Sequence, residues 1–291
     1  MTARFQPPAR PLLVYTDLDG TLLDHDSYSF EAARPALQRL RQLGVPVIPV
    51  TSKTLAELEV LLDDLDLDGP CVAENGSLVA IPDGYFADLA GLQPAGRFQV
   101  EYLSPRYRDI LDMLHALRRD FGYVFTGFAD IDDRRIAEIT GLEARAAQRA
   151  RQRLCSEPLM WQDTASAFDD FSQQLQQRGY TLVRGGRFFH VLGQKTDKAF
   201  AIERLGQRYS QNGFSDFTSI ALGDSPNDIR MLQAADIAVV VRRKDGDWLQ
   251  LDTPGRSIRT QASGPEGWNE FFMQQLDTPA PADTGKRTGH G

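Results

Sequence analysis

Short apolar runs alternate with helical patterns in the first and last thirds of the chain, and this alternation limits the possible folds more than any other feature. LLVYT (12–16), VPVIPV (45–50) and CVAENG (71–76) are predicted strands of the first part, and FTSIALGD (217–224) and IAVVV (237–241) of the last. Strands that are apolar throughout and separated by helices are typical of a parallel sheet covered on both faces. We therefore predict an α/β fold with a doubly wound, mostly parallel, Rossmann-like core.

Helical segments with recognisable ends connect these strands. FEAARPALQRLRQLG (30–44) has helical periodicity and ends at Gly44, and SPNDIRMLQAA (225–235) is the predicted helix between the two later strands. TLAE opens another helix, in which Thr54 and Glu57 are spaced as a capping box. These boundaries support the α/β alternation.

The pattern changes between about residues 85 and 188. RFQVEYLS and TLVRGGRFFHVLG alternate in polarity as strands do, and YRDILDMLHALRRD and LEARAAQRARQRL have the periodicity of amphipathic helices. We predict that residues 85–188 form an inserted α+β domain in a discontinuous core made of residues 1–84 and 189–277. Residues 278–291 are rich in small polar residues without periodicity and are predicted to be a disordered tail.

Composition excludes several classes of function. The net charge of −8 and the pI near 5.1 argue against nucleic acid or an anionic membrane as the main partner. Cys71 and Cys155 form no CxxC pair, and the four histidines show no metal-ligand spacing, so zinc is not expected. The first ten residues lack the apolar segment of a signal peptide, and no run approaches the roughly 20 apolar residues of a membrane span. These features predict a cytoplasmic protein.

Polar side chains follow four of the predicted strands at the point where each strand ends. These side chains are Asp17 and Asp19, Thr51 and Ser52, Glu74 and Asn75, and Asp224 and Asp228. The carboxyl ends of parallel strands meet at one edge of a sheet, where ligands bind, so we expect these side chains to lie close together.

The types of side chain at this edge suit phosphoryl transfer. Asp17, Asp19 and Asp224 offer hard oxygen ligands, which favour a small octahedral cation such as Mg²⁺. Thr51 and a lysine would hold the phosphoryl oxygens, because the reaction depends mostly on positioning and charge neutralisation. Asp17 would attack phosphorus and form an aspartyl-phosphate.

Several of these residues also have simpler interpretations. DLDG is compatible with an Asp-Gly turn, although a calcium loop is ruled out because its fifth and twelfth positions would be Thr21 and Tyr28. Asp228 lies three residues after Ser225 and is compatible with a helix cap, a role that a carboxylate can combine with another.

The lysines have a simpler interpretation as surface residues. Lys198 is compatible with a solvated helix lysine, but a cation at a helix start opposes the helix dipole, which favours a functional role. Lys53 and Lys195 have no such argument and are predicted to be surface residues.

The motifs together resemble a known family. DLDGT (17–21), Thr51, Lys198 and GDSPND (223–228) are similar, in order, to the four motifs of the haloacid dehalogenase-like hydrolases. The resemblance implies that Asp17 is the nucleophile, that Asp19 protonates the leaving group and then activates water, and that Thr51 and Lys198 bind phosphate. It implies Mg²⁺ on Asp17, Asp224 and the backbone carbonyl of Asp19, with support from Asp228. An insert between the second and third motifs resembles the Cof-like branch of sugar phosphatases with an α/β cap.

Further segments, in the insert and the core, resemble the mannosyl-3-phosphoglycerate phosphatases. They include TSKTLAE, GFADI, EITGLE and RGGRFFHVLG. The resemblance implies hydrolysis of a phosphorylated sugar-glycerate during synthesis of the compatible solute mannosylglycerate. Phosphatases of the glucosyl compound are similar, so the sugar stays open. A broader sugar phosphatase or phosphomutase, and a non-enzymatic binding protein with this fold, also stay open.

A substrate with both phosphate and carboxylate groups needs local basic residues in this acidic chain. Arg184 and Arg187 flank the Gly-Gly turn of the predicted hairpin, and the planar fork of arginine suits either anion. Arg153 is a further candidate, although it shares a predicted helix with other arginines that are compatible with a solvated face. Glu74 and Asn75 are the predicted partners of the sugar hydroxyls.

Overall fold

The computed structural model describes residues 11–185, 187–252 and 256–276, and these residues form three β-sheets with helices around them. The predicted disordered tail and the first ten residues lie outside them. The strands are β1 (Leu12–Thr16), β2 (Val47–Pro49), β3 (Cys71–Ala73), β4 (Leu78–Pro82), β5 (Gln93–Ala95), β6 (Phe98–Tyr102), β7 (Phe125–Gly127), β8 (Glu157–Trp161), β9 (Tyr180–Arg184), β10 (Phe189–Gly193), β11 (Thr218–Gly223), β12 (Ile237–Arg242) and β13 (Arg256–Ser263). The α-helices are α1 (Arg34–Gln42), α2 (Leu55–Asp64), α3 (Tyr107–Phe121), α4 (Asp133–Thr140), α5 (Ala144–Ala150), α6 (Ala165–Gln177), α7 (Lys198–Gln211), α8 (Ile229–Ala234) and α9 (Gly264–Leu276).

The central sheet is parallel and has the strand order β13-β12-β11-β1-β2. The strand β1 lies between β11 and β2 and pairs with β11 from Leu12 opposite Thr218 to Thr16 opposite Leu222. Successive residues of β1 belong to different hydrophobic clusters: Val14 packs with α1, α2 and α9, whereas Leu13 packs with α7 and α8. Helices therefore cover both faces of the sheet, which confirms the predicted doubly wound α/β fold.

A second sheet also belongs to the core. It is antiparallel and has the strand order β3-β4-β6-β5. A single parallel bridge between Val50 and Val72 links it to the edge of the central sheet. The prediction assigned RFQVEYLS to the insert, but β6 pairs with β4, and Phe98 and Val100 pack in the same cluster as α1 and α2. Alternating polarity indicates a half-buried strand without indicating which sheet it joins.

The third sheet has the order β7-β8-β10-β9 and belongs to the insert. Its strands are antiparallel, and α3 and α6 contribute the buried side chains that pack against it. The prediction began the second part of the core at residue 189, but β10 pairs with β8 and β9 of this sheet. We therefore propose that the insert begins after Tyr102 and ends after Gly193.

The helix signals of the sequence correspond to observed caps. Thr54 accepts a hydrogen bond from the Glu57 backbone N–H at 3.1 Å, and Glu57 accepts one from the Thr54 backbone N–H at 2.8 Å, so the predicted capping box at α2 is confirmed. None of the helices in the described segments combines the length and apolar character that crossing a bilayer requires.

Candidate active site

Asp17 follows β1 at the carboxyl edge of the central sheet. Its backbone N–H donates to Leu222 O at 2.9 Å, which extends the pairing with β11 and fixes the position of the side chain. The carboxylate is 6% exposed and accepts a hydrogen bond from Lys198 Nζ at 2.6 Å. Burial, and then the charge of Asp228, raise the pKa of Asp17 well above its usual range.

The turn after Asp19 brings the first motif against the last. Gly20 has a φ of +84°, and a Cβ added there would lie 2.7 Å from Asp224 Oδ2. Thr21 Oγ1 donates to Asp224 Oδ1 at 3.0 Å. The Asp-Gly turn is therefore present, and it places Gly20 and Thr21 of the first motif against Asp224 of the last motif.

Lys198 begins α7 and lies inside the protein. Its side chain is 1% exposed, and Nζ is 2.6 Å from Asp17 Oδ1 and 2.7 Å from Asp228 Oδ1. Burial alone would lower the pKa of Lys198, but the two carboxylates offset this effect and raise the pKa above its ordinary value. The interpretation of Lys198 as a solvated helix lysine is therefore wrong.

Asp228 combines the two roles that the sequence left open. One oxygen, Oδ2, accepts hydrogen bonds from the Ser225 backbone N–H and hydroxyl, both at 3.0 Å, and completes a capping box. The other oxygen, Oδ1, accepts from Lys198. The residue is fully buried and thereby connects the loop after β11 to the lysine.

Three carboxylates form a cluster that fits a divalent cation. Oxygen atoms of Asp17, Asp224 and Asp228 lie within 4.8 Å of one another, and all three residues are buried. Burial, and then the charge of Asp228, raise the pKa of Asp224 to about 7. Lys198 compensates only part of this negative charge, so a divalent cation among these hard oxygen ligands would relieve the remaining repulsion.

Thr51 and Lys53 lie in the loop after β2, which is the neighbour of β1 on the side away from β11. Thr51 is 1% exposed, and its hydroxyl accepts a hydrogen bond from the Lys53 backbone N–H at 3.2 Å. Lys53 Nζ donates to Asp19 Oδ2 at 2.9 Å and lies 4.8 Å from the centre of the Tyr28 ring. The prediction of Lys53 as a surface residue was wrong. Its position two residues after Thr51, at the same edge of the sheet, was the available signal.

Glu74 and Asn75 are the predicted partners of the sugar hydroxyls, but neither lines the cavity between the core and the insert. The Glu74 carboxylate is fully buried and accepts hydrogen bonds from the backbone N–H groups of Leu154 and Cys155, at 2.7 and 3.0 Å. It also accepts one from the Ser156 hydroxyl at 2.7 Å. Asn75 Oδ1 accepts a hydrogen bond from Asn227 at 3.1 Å. Glu74 therefore holds the insert against the core, because all its partners belong to the segment that leads into β8.

A cavity of about 470 Å³ lies between the core and the insert. The core contributes Asp17, Asp19, Lys53, Asp224 and Asn227 to its lining, and the insert contributes Phe128, Arg153, Arg184, Arg187, Phe188 and His190. The structure thus brings Asp17, Asp19, Asp224 and all three predicted arginines around one cavity. His190 was not among the predicted site residues.

The three arginines differ in how firmly they are held. Arg153 is 8% exposed and donates hydrogen bonds to Ala150 O and Ser52 O, at 3.0 and 2.9 Å. Arg187 is exposed and donates to Ile139 O at 3.3 Å. Arg184, at the end of β9, is also exposed. Only the Arg153 side chain is fixed between the insert and the core.

Comparison with known proteins finds a matching family model, relatives of similar sequence and a solved structure of similar fold. The family model described as haloacid dehalogenase-like hydrolase matches residues 14–95 and 151–247. A glucosyl-3-phosphoglycerate/mannosyl-3-phosphoglycerate phosphatase from Methanococcoides burtonii is 37% identical over 265 residues, which cover 91% of this chain and 97% of that protein. A protein with the same name from Persephonella marina is 32% identical, with 91% and 97% covered. The crystal structure of a Thermoplasma acidophilum protein superposes with a TM-score of 0.63 at 17% identity, covering 92% of this chain and 99% of the other.

Proposed function

Because the chain belongs to the haloacid dehalogenase-like hydrolases, we propose that it is a phosphatase that hydrolyses mannosyl-3-phosphoglycerate to mannosylglycerate and phosphate. The observation that carries the proposal is the single cavity in which Asp17 and Asp19 face the basic side chains of the insert. The names of the two curated relatives include the glucosyl compound as well, so glucosyl-3-phosphoglycerate is the second candidate substrate.

The charges around the cavity support a doubly anionic substrate. The insert contributes Arg153, Arg184 and Arg187 to the lining and no carboxylate among its described residues, whereas the core contributes Asp17, Asp19, Glu57 and Asp224 beside Lys53. Three arginines on one side of a cavity, in a chain with a net charge of −8, favour a ligand with both phosphate and carboxylate groups. The apolar side chains of Phe128 and Phe188 add surface on which a sugar ring can pack.

We assign the cofactor as Mg²⁺, held by Asp17, Asp224 and the backbone carbonyl of Asp19, with Asp228 supporting it. When bound, the cation would neutralise charge on the phosphoryl oxygens. The buried and mutually repelling carboxylates described above support this assignment, since hard oxygen ligands suit Mg²⁺.

In the proposed first step, a carboxylate oxygen of Asp17 attacks phosphorus and forms an aspartyl-phosphate. The bond between phosphorus and the ester oxygen breaks, and Asp19 gives its proton to that oxygen. Thr51 and Lys198 hold the phosphoryl oxygens. In the second step, Asp19 takes a proton from a water molecule, whose oxygen bonds to phosphorus as the bond to Asp17 breaks. A hydrogen bond from Lys53 Nζ holds the Asp19 side chain at the cavity in both steps.

A phosphate-release assay over defined substrates tests the proposal. The substrates are the mannosyl and glucosyl 3-phosphoglycerates, 3-phosphoglycerate and common sugar phosphates, each with Mg²⁺. We expect kcat/KM to be highest for a glycosyl-3-phosphoglycerate, because only these substrates combine the phosphate and the carboxylate with a sugar that can pack on Phe128 and Phe188. Similar efficiency on several unrelated sugar phosphates would contradict the proposal and favour a broader sugar phosphatase.

A further inference from the structure

Arg153 is a buried cation without an ion-pair partner among the described residues. Nε donates to Ala150 O at 3.0 Å, and Nη1 donates to Ser52 O at 2.9 Å and to Ser156 Oγ at 3.5 Å. All three acceptors are uncharged, and Nη2 has no hydrogen bond to a described residue. The charge of Arg153 also acts on the buried carboxyl groups of Glu74 and Glu157, with which it forms no direct ion pair. Because Nη2 keeps its donor capacity and the side chain lines the cavity, Arg153 can still bind an anion there.

His190 lines the same cavity and carries a second unsatisfied polar group. The residue lies on β10 opposite Pro158 of β8 and is 6% exposed. Its Nδ1 atom is buried and has no hydrogen-bond partner. Burial, and then the charge of Arg153, lower the pKa of His190 to about 3, so the imidazole is neutral at physiological pH. A buried polar atom without a partner is destabilising, and a ligand that bonds to it removes this cost.

The position of Arg153 links this pair to the reaction centre. Its hydrogen bond to Ser52 O places the guanidinium beside the loop that carries Thr51 and Lys53. In a glycosyl-3-phosphoglycerate the carboxylate is separated from the phosphate-bearing carbon by only one carbon atom. An anion subsite next to the phosphate loop therefore suits the carboxylate, and the more exposed Arg184 and Arg187 border the outer part of the cavity.

We propose that Arg153 and His190 together form the carboxylate subsite of the enzyme, with Arg153 supplying the charge and Nδ1 of His190 a hydrogen bond. This inference rests on the proposed function and extends it by assigning one group of the substrate to two side chains. It also makes His190 a residue that determines specificity.

Paired substrates that differ only in the carboxylate test the proposal. The first pair is the preferred glycosyl-3-phosphoglycerate and its analogue with a hydroxymethyl group in place of the carboxylate. The second pair is 3-phosphoglycerate and glycerol 3-phosphate. The variants are Arg153→Gln, His190→Leu and His190→Asn. Arg151→Gln and His115→Leu are matched controls, because both residues are exposed and neither lines the cavity.

We expect Arg153→Gln to lower kcat/KM for the carboxylate substrate of each pair by about ten- to a hundredfold, and for its alcohol partner by less than about threefold. His190→Leu should show the same selectivity with about a tenfold loss. His190→Asn should recover most of it, because its amide nitrogen can occupy the position of Nδ1. The loss should fall mainly on KM, since the carboxylate does not react.

Equal losses on both members of a pair would overturn the proposal, because they would show that these side chains only hold the cavity in shape. If Arg153→Gln does not fold, Arg153→Lys gives the same comparison with the charge retained and the fork removed. If the wild-type enzyme does not hydrolyse glycosyl-3-phosphoglycerates, the proposed function fails. The second pair then decides the carboxylate subsite independently.

Discussion

Asp17 lies between a cation and two further carboxylates, and its chemistry depends on all three. Lys198 holds one of its oxygens at 2.6 Å, while burial and the charge of Asp228 oppose its ionisation. The Mg²⁺ ion that we propose there would favour the ionised form of Asp17, which is the form that attacks phosphorus. A small change at this position should therefore have a large effect on the reaction.

We expect Asp17→Asn to lower kcat by several orders of magnitude, because an amide oxygen is a poor nucleophile and the cation loses a charged ligand. Circular dichroism and phosphate release, measured on the same preparation, separate loss of chemistry from loss of fold. Asp112→Asn, at an exposed position of α3, is the matched control. A variant that kept a tenth of the wild-type activity would rule out the aspartyl-phosphate mechanism.

Asp19 and Asp224 should respond differently to the same substitution. In our proposal the cation binds the backbone carbonyl of Asp19 and not its side chain, so Asp19→Asn should keep Mg²⁺ affinity within a few fold while turnover is lost. Asp224→Asn removes a carboxylate ligand and should weaken Mg²⁺ binding by about tenfold or more. Calorimetric titration with MgCl₂ measures both affinities. An equal loss in the two variants would contradict the division of roles.

The turn after β3 links the core to the insert. Glu74 has a φ of +52° and accepts three hydrogen bonds from residues 154–156, next to Arg153. In this way a core element sets the position of a cavity-lining side chain of the insert. Thr54 at the start of α2 adds a second link, because its hydroxyl donates to Arg149 O at 2.9 Å.

We expect Glu74→Gln to lower the free energy of unfolding by about 1–3 kcal/mol, since an amide NH₂ would then face N–H or O–H donors inside the protein. Urea denaturation measures the change, and Glu143→Gln at an exposed position without a side-chain cap is the control. KM should rise as well, because Arg153 would lose its support. Unchanged stability together with a raised KM would return Glu74 to a role in substrate binding.

Glu157, at the start of β8, makes the stability of the insert dependent on pH. Its oxygens accept hydrogen bonds from Tyr107 Oη at 2.7 Å and from the Ala129 backbone N–H at 2.8 Å, and burial raises its pKa to about 7. Between its unfolded pKa of about 4.5 and this value, the native protein holds a proton that the unfolded chain has released. The free energy of unfolding should therefore fall as the pH rises through this range, by up to about 1.4 kcal/mol per pH unit.

Glu157→Gln should remove this dependence, because the amide resembles the protonated acid. Urea denaturation of both proteins at several values between pH 4.5 and 8 measures the difference. The variant should gain stability relative to the wild type as the pH rises, and the difference should level off above pH 7. Parallel pH profiles of the two proteins would contradict the assignment.

The helices, the strands and the sheet edge that carries the candidate site could be predicted from the sequence. The domain boundaries and the side-chain contacts could be predicted less well. The strands β1, β2, β11 and β12 were predictable because continuous apolar runs are buried on both faces, and the side chains that follow such strands must lie at one edge. The sheet that β6 or β10 joins depends on strands elsewhere in the sequence. Local polarity does not identify those strands. Glu74 and Lys53 were misassigned for the same reason, since charge near a site does not reveal which atoms satisfy it.

Cation binding should stabilise the whole protein, because the cluster joins the loops after β1 and β11. A ligand that binds only the native state adds RT ln(1 + [L]/Kd), which is about 2.7 kcal/mol at a hundred times Kd. Saturating MgCl₂ should therefore raise the Tm by several degrees over the protein in EDTA, and Asp224→Asn should abolish most of this increase. Asp236→Asn is a control that lies outside the cluster. An equal increase in wild type and Asp224→Asn would contradict the cation site.

The strand order of the central sheet also dictates when this protein can become active during its synthesis. Asp17 emerges from the ribosome early, yet β1 lies beside β11, whose partner residues follow about two hundred positions later. Contacts so distant in sequence form slowly, and here they cannot form at all until β11 has been made. The insert is continuous, and its sheet is complete when β10 has been made, so it can fold while the core still waits for its central pair of strands. A nascent chain would thus hold a folded insert before the strands that precede Asp17 and Asp224 can pair.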